Sequence, residues 1–234
     1  VPIGDLMAGM FASVGILAAV RHQTETGKGQ FIDIGMLDTH VAWLANQGMN
    51  YLSTDENPER LGNQHPNIVP YQVMPTSDGY IVLSIGNDPT FQRFCELAGE
   101  TKLLEDDRFK TNASRVSNRE HVTKVLNEVT KRKTSNEWLS ELEKAKIGCG
   151  PINNLSDVFN DPHVISRKMV MEMEHSKTGE KPLKLISNPI KMNETPVSYR
   201  YAPPLLGEHT NEILKTELNL NEDQIKSLKD KNII

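Results

Sequence analysis

Asp5 is the side chain whose setting most directly suggests chemistry. It stands immediately ahead of an apolar run, Leu6 to Val20, where a helix N-cap belongs. A carboxylate there accepts first-turn amide hydrogen bonds and feels the positive end of the helix dipole, which keeps it ionised. A lone aspartate in that place is ordinarily a cap. At the mouth of a buried helix facing the crevice of an α/β layer, it could also serve as a nucleophile. A second candidate is the polar stretch Asn63-Gln64-His65-Pro66-Asn67. It is either a surface linker carrying a histidine or a loop that closes over a ligand. Arg60, Arg108 and Arg115 could hold phosphate, but read first as unpaired surface arginines.

Other chemistries find no support. The seven histidines (His22, His40, His65, His121, His163, His175, His209) lack metal-ligand spacing, so no bound metal is expected. The chain has no G-x-S-x-G, P-loop, G-x-G-x-x-G or His-Glu-x-x-His. Cys95 and Cys149 are its two cysteines, too few for a disulfide scaffold, and read as reduced structural thiols. With 26 Lys and Arg against 31 Asp and Glu, the net charge is -5. That argues against nucleic acid as a partner, since phosphate contacts need a basic face.

The elements that must position these residues follow from periodicity and breakers. The 234 residues, 37% hydrophobic, suffice for one large or two small domains. Leu6–Arg21 is apolar on nearly every side and predicts a helix that must be covered all round, ended by Thr26-Gly27-Lys28-Gly29. Its apolar run falls short of the roughly 20 residues of a membrane span, and it lacks the basic lead-in of a signal peptide. A short strand, Gln30–Met36, and a helix, Leu37–Met49, follow. A lone strand cannot make a sheet, so its partners must come from elsewhere. The chain also opens on Val1 with no initiator Met, which suggests that sequence is missing upstream.

Residues 51–69 read as a linker. Tyr71–Met74 and Tyr80–Ile85 flank Thr76-Ser77-Asp78-Gly79 as a hairpin, with Gly79 at positive φ. Asp88-Pro89 opens a helix that Gly99 closes. Asn118–Arg132 is helical, and Thr134-x-x-Glu137 is a capping box for a further helix ended by Gly148. Phe94 and Trp138 fall at core positions. Asp157–Asn160 forms a short turn, and Lys168–Glu174 alternates as a half-buried strand with Lys177-Thr178-Gly179-Glu180 as its return turn. Ile186–Leu206 is extended, and Glu208–Leu218 and Glu222–Lys231 are closing helices, the second capped by Asn221.

Taken together, several motifs resemble the class III CoA-transferases, the carnitine/bile-acid-inducible (CaiB/BaiF) family. They are Gly4-Asp5-Leu6-x-Ala8-Gly9, Gly15-Ile16-Leu17-Ala18-Ala19, Thr26-Gly27-Lys28-Gly29-Gln30-x-Ile32-Asp33 and Asp38. The likeness continues in order through Arg60-x-Gly62-Asn63-x-His65-Pro66, Asp107-x-Phe109, Asn118-Arg119, Gly150-Pro151-Ile152-Asn153 and Pro204-x-x-Gly207-x-His209-Thr210. The resemblance implies an α/β fold: a partial Rossmann-like large domain plus a small α+β domain, in a protein that forms an interlocked homodimer. Residues 1–50 would be the C-terminal portion of the large domain, 51–69 a linker, 70–186 the small domain, and 187–234 a segment returning to the large domain.

The same resemblance implies that Asp5 is the catalytic carboxylate. It would carry CoA as an aspartyl thioester between an acyl-CoA donor and a carboxylic acid acceptor, with no permanently bound cofactor. Asn63, His65, Pro66 and Asn67 would line the acyl end by position. Oxalate-specific members carry a mobile glycine-rich loop there. The sequence His65-Pro66-Asn67-Ile68 should be stiffer, which leans toward larger acids such as dicarboxylates. An α-methylacyl-CoA racemase and a non-catalytic truncated chain are the alternative expectations. The expected setting is cytoplasmic, or mitochondrial or peroxisomal in a eukaryote, with no membrane partner. The chain is expected either to dimerise or to associate with a missing N-terminal half.

Overall fold

The computed structural model describes residues 1–179 and 181–234. It parses into two compact units, Val1–Ile152 and Asn153–Ile234; this cut falls within residues 70–186.

The first unit opens with three helices: α1 (Ile3–Thr26), α2 (Met36–Ala42) and α3 (Ala45–Thr54). α1 starts earlier than the apolar run suggests, with Pro2 as its N-cap residue. Proline suits this place because its φ is already near the helical value and its missing N–H would have no partner there. The Leu6 amide donates to Pro2 O at 3.1 Å. α1 ends as expected at Gly27, in the left-handed region at φ 75° with its N–H donating to Gln23 O. At 24 residues it is long and apolar enough to cross a membrane by length and composition, which corrects the expectation that it falls short. None of its residues is buried.

The expected strand at 30–36 does not form. Residues 28–35 form no regular element, and among the described residues no strand pairs with them. The segment lies against α1 instead, with Ile32 Cγ2 3.4 Å from the place a Cβ on Gly15 would occupy. The helix expected over 37–49 is broken. Trp43 N and Leu44 N donate three residues back, to His40 O and Val41 O, and Ala45 takes φ 46°.

Strands β1 (Tyr71–Pro75) and β2 (Tyr80–Ser84) form the expected hairpin, antiparallel with Val73 opposite Val82. Gly79 is not at positive φ. The turn is closed instead by Thr76 N donating to Gly79 O. Helices α4 (Asp88–Ala98), α5 (Asp107–Lys110), α6 (Asn112–Ser117), α7 (Arg119–Thr130) and α8 (Ser135–Lys144) pack around the hairpin, with a 3₁₀ turn at Thr101–Glu105. The cap of α4 is Asn87, one residue ahead of Asp88. The Thr134–Glu137 capping box forms as expected. Gly148 does not end α8; it opens β3 (Gly148–Pro151), which pairs with β2 and makes β2 the central strand. Glycine is required there: a Cβ on residue 148 would lie 2.8 Å from Ser84 O.

The core of this unit gathers Val69, Met74, Ile81, Leu83, Ile85, Phe91, Phe94, Phe109, Leu126, Trp138 and Leu142. Phe94 stacks on Trp138 at 6.0 Å, and the indole N–H donates to Thr130 O. Cys95 is buried and free, and burial pushes its thiol up to about 12. Cys149 is half-buried and also free.

The second unit holds α9 (Leu155–Asn160), α10 (Pro162–Ser166), β4 (Val170–Met173), β5 (Leu183–Ile186), α11 (Thr210–Thr216) and α12 (Glu222–Asp230). β4 and β5 pair antiparallel, and Met171 and Met173 share the half-buried face, as the alternation predicts. The expected return turn includes Glu180, which lies outside the described residues. Asn221 caps α12 in a capping box with Gln224.

Candidate active site

Asp5 is not a cap. It is the third residue of α1 and lies in its first turn, without a cap hydrogen bond. The carboxylate is exposed, and among the described residues it enters no hydrogen bond or ion pair. Its position still places it within the field of the helix N-terminus. The Gly4 and Asp5 amides likewise have no acceptor among the described residues, as every helix leaves its first amides free. Ile3 N, by contrast, turns back on Val1 O and Leu6 N on Pro2 O.

His40 comes to the same helix end from α2. Its ring lies over Gly4: a Cβ there would sit 2.3 Å from both Cε1 and Nε2 of His40. Nδ1 is 2.9 Å from Met36 O. A carbonyl only accepts, so Nδ1 is the donor, and in the neutral ring Nε2 is left bare. Nothing in the sequence singles His40 out, because its approach depends on the break between α2 and α3 and on the fold-back of residues 28–35.

The loop at 61–70 is a clamped segment and not a free linker. The Asn63 side chain accepts from Val73 N at 2.8 Å. His65 N donates to Tyr71 O, and its ring stacks on Tyr71 with centroids 5.3 Å apart and planes 11° from parallel. His65 Nδ1 accepts from Asn67 N at 3.1 Å, so the neutral ring carries its proton on Nε2. Pro66 O accepts from Arg119 Nη2 at 2.6 Å. Asn67 O accepts from Asn112 Nδ2, and the Asn67 and Asn50 side-chain amides exchange two hydrogen bonds. Burial lowers the pKa of Arg119, whose guanidinium is held by neutral acceptors. Side chains from Asn50, Asn112 and Arg119 thus brace the loop in addition to Pro66.

Arg115 corrects the reading of the arginines. It is fully buried and donates to Val69 O, Phe109 O and Asp88 Oδ1. Its guanidinium also sits 4.2 Å from the Phe91 ring centroid. It is a structural post for the end of the loop, with no face left for phosphate. Arg108 pairs with Asp106 and holds that carboxyl down to about 2. Arg60 lies with Gln64, Arg119 and Thr123 along a groove of ≈ 520 Å³, beside Glu59 and Glu120. Among the described residues, no three His, Cys, Asp or Glu side chains converge as a metal group.

The structure thus brings Asn63, His65, Pro66 and Asn67 together in one braced loop and puts Asp5 at a separate helix terminus of the same unit. No hydrogen bond joins the two places among the described residues. The family model of CoA-transferase family III matches residues 1–210.

The chain belongs to CoA-transferase family III.

It is 37% identical over 214 residues to the succinate–glutarate CoA-transferase of Agrobacterium fabrum, covering 92% of this chain and 53% of that protein. It is 36% identical over 228 residues to human succinyl-CoA:glutarate CoA-transferase, covering 97% of this chain and 52% of the human one. Among solved structures it resembles a CaiB/BaiF family protein from Brucella suis, with a TM-score of 0.73 and 37% identity, over 93% of this chain and 56% of that one. The chain spans about half the length of the curated relatives it matches. The α/β family III fold expected from the motifs is therefore the fold of this chain, and the strandless α1–α3 segment is the part of it that precedes the small sheet.

Proposed function

We propose that the protein takes part in moving CoA from an acyl-CoA to a carboxylic acid, with Asp5 as the group that carries it. Family membership over residues 1–210 carries this reading, and the exposed Asp5 carboxylate at a helix N-terminus supports it. The Asp5 carboxylate attacks the donor thioester carbonyl, giving a mixed anhydride and CoA thiolate. The thiolate then attacks the Asp5 carbonyl of the anhydride. The donor acid leaves as its carboxylate, and Asp5 holds an aspartyl thioester. An acceptor carboxylate attacks that thioester, and CoA returns through the second anhydride to the acceptor. No proton or electron is gained or lost overall. An ionised carboxylate is the form this needs, and first-turn amides favour it.

The acids are four- and five-carbon dicarboxylates in this reading. The names of the similar Agrobacterium and human proteins, which pair succinate or succinyl-CoA with glutarate, support it. So does the braced His65-Pro66-Asn67 loop, which is unlike a mobile glycine loop. As parts of the same proposal, residues 1–50 belong to the large domain and 70–186 to the small one, the working unit is a homodimer, and the compartment is reducing. Two free cysteines are consistent with the last point. The exposed apolar faces of α1 are then surfaces that a complete family fold covers, not a membrane anchor.

The test is incubation with succinyl-CoA followed by peptide mass spectrometry. A CoA adduct on Asp5, lost with hydroxylamine and absent from Asp5→Asn, is the expected outcome. Adduct retained in Asp5→Asn would remove Asp5 from the reaction. Exchange of the acyl α-proton with solvent deuterium and no adduct would point to a racemase.

A further inference from the structure

Gly4 is a poor choice for a helix on propensity, since alanine is favoured over glycine inside one. The structure supplies a reason for it. The His40 ring lies across Gly4 so closely that a Cβ would be 2.3 Å from two of its atoms. The ring cannot swing aside freely, because its Nδ1 is tied to Met36 O at 2.9 Å. α2, which carries His40, starts after Gly35, whose backbone is extended at φ -76° and ψ 127°. The adjoining segment leans on α1 through Ile32 at Gly15. The tie to Met36 O and the Ile32 contact thus hold one imidazole over the peptide that immediately precedes Asp5.

We infer that His40 is a positioning residue for Asp5: its ring fixes the first turn of α1, and Gly4 is there to admit it. This rests on the reading of Asp5 as the CoA-carrying group. His40 touches the turn and not the substrate. Its effect is on how the carboxylate is presented, where small displacements are costly.

The experiment uses the full chain with Gly4→Ala, His40→Ala, the double variant and His40→Asn. The readouts are the rate of Asp5–CoA adduct formation from succinyl-CoA and the amide resonances of residues 4 and 5. Gly4→Ala is expected to slow adduct formation at least about tenfold, against its own helix propensity. His40→Ala should slow it by about threefold or more with KM for succinyl-CoA unchanged. The double variant should be no slower than Gly4→Ala alone, because the clash is gone. His40→Asn, whose amide can still donate to Met36 O but has no atom at the places of Cε1 and Nε2 over Gly4, should be as slow as His40→Ala, and recovery of the rate by it would overturn the inference.

Multiplicative effects of the two single changes, or an unchanged rate in His40→Ala, would overturn the inference. If the unaltered chain forms no adduct at all, the functional reading fails. The packing claim is then decided by the resonances: a non-additive shift at residue 5 across the four proteins supports it, and an additive one overturns it.

Discussion

The helical segment α1–α3 and the hairpin-centred body that follows it are built on opposite principles. In α1 apolar residues face every direction and none is buried, with Leu17 70% exposed and Val14 61%. In α4, α7 and α8 the apolar residues fall on one side, and that side closes over β1 and β2, leaving Leu126, Leu142 and Phe94 fully buried. The second region can be stable by its own packing. The first has the composition of a core helix without a core around it, which is how a helix of a larger fold looks when only part of that fold surrounds it. The candidate catalytic carboxylate belongs to the first region and the braced loop to the second. On the proposed reading, function draws on both the self-sufficient part and the part that is not.

The largest effect should come from Arg115 in the packed region. Replacing it with Ala leaves Val69 O and Phe109 O without donors and opens a cavity beside Phe91. Asp88, 47% exposed, can turn to water, but two buried carbonyls left without donors together with the cavity cost about 3–5 kcal/mol. Urea denaturation followed by Trp138 fluorescence should show that loss. A loss under about 1 kcal/mol would mean that the loop end at Val69 does not depend on Arg115.

One substitution made in both regions sharpens the contrast. Leu126→Ala in α7 should cost about 2–5 kcal/mol, as buried leucines do. Leu17→Ala in α1 should cost less than about 0.5 kcal/mol by the same denaturation experiment, because the side chain loses almost nothing on truncation. A cost at Leu17 comparable to that at Leu126 would show that the face is covered in solution, and the comparison would fail. Thr134→Ala is the intermediate case, removing a capping box that serves only α8. It should lower stability by about 0.5–2 kcal/mol in thermal melts.

What could be foreseen divides along the same lines. Local chemistry was legible: the Thr134–Glu137 box, the left-handed Gly27 and Gly99, the hairpin and the alternation of Met171 and Met173 each need only a few neighbouring residues. Features that depend on distant partners were not. Arg115 looks like any charged residue until three acceptors from Val69, Phe109 and Asp88 surround it. β3 hides in Gly148-Cys149-Gly150, which lacks strand formers, because its glycine answers to the Ser84 carbonyl across the ladder and not to propensity. The cap expected at Asp5 is instead Pro2, because α1 begins at Ile3, three residues before the apolar run. His40 carried no signal, since its role exists only through the fold-back that brings α2 onto Gly4.

The smallest predicted effect tests how the packed region is tied at its turn. Asp78 Oδ1 accepts from Ser135 N at 2.8 Å and from the Ser135 hydroxyl, joining the hairpin turn to the start of α8. The Ser135 amide above all holds this carboxyl below its ordinary value of 3.8. A depressed folded pKa means that the unfolded chain binds the proton more readily. The contribution is therefore fully present above about pH 4 and is lost as pH falls through the folded value. Melting temperature followed from pH 5 downward should fall less steeply in Asp78→Asn, whose amide oxygen can still accept from Ser135 but does not titrate. Part of the acid slope will remain, because Glu137 is also held low, chiefly by the Thr134 amide. An Asp78→Asn profile parallel to that of the unaltered protein would show that the charge on Asp78 adds nothing to the joint between the turn and α8.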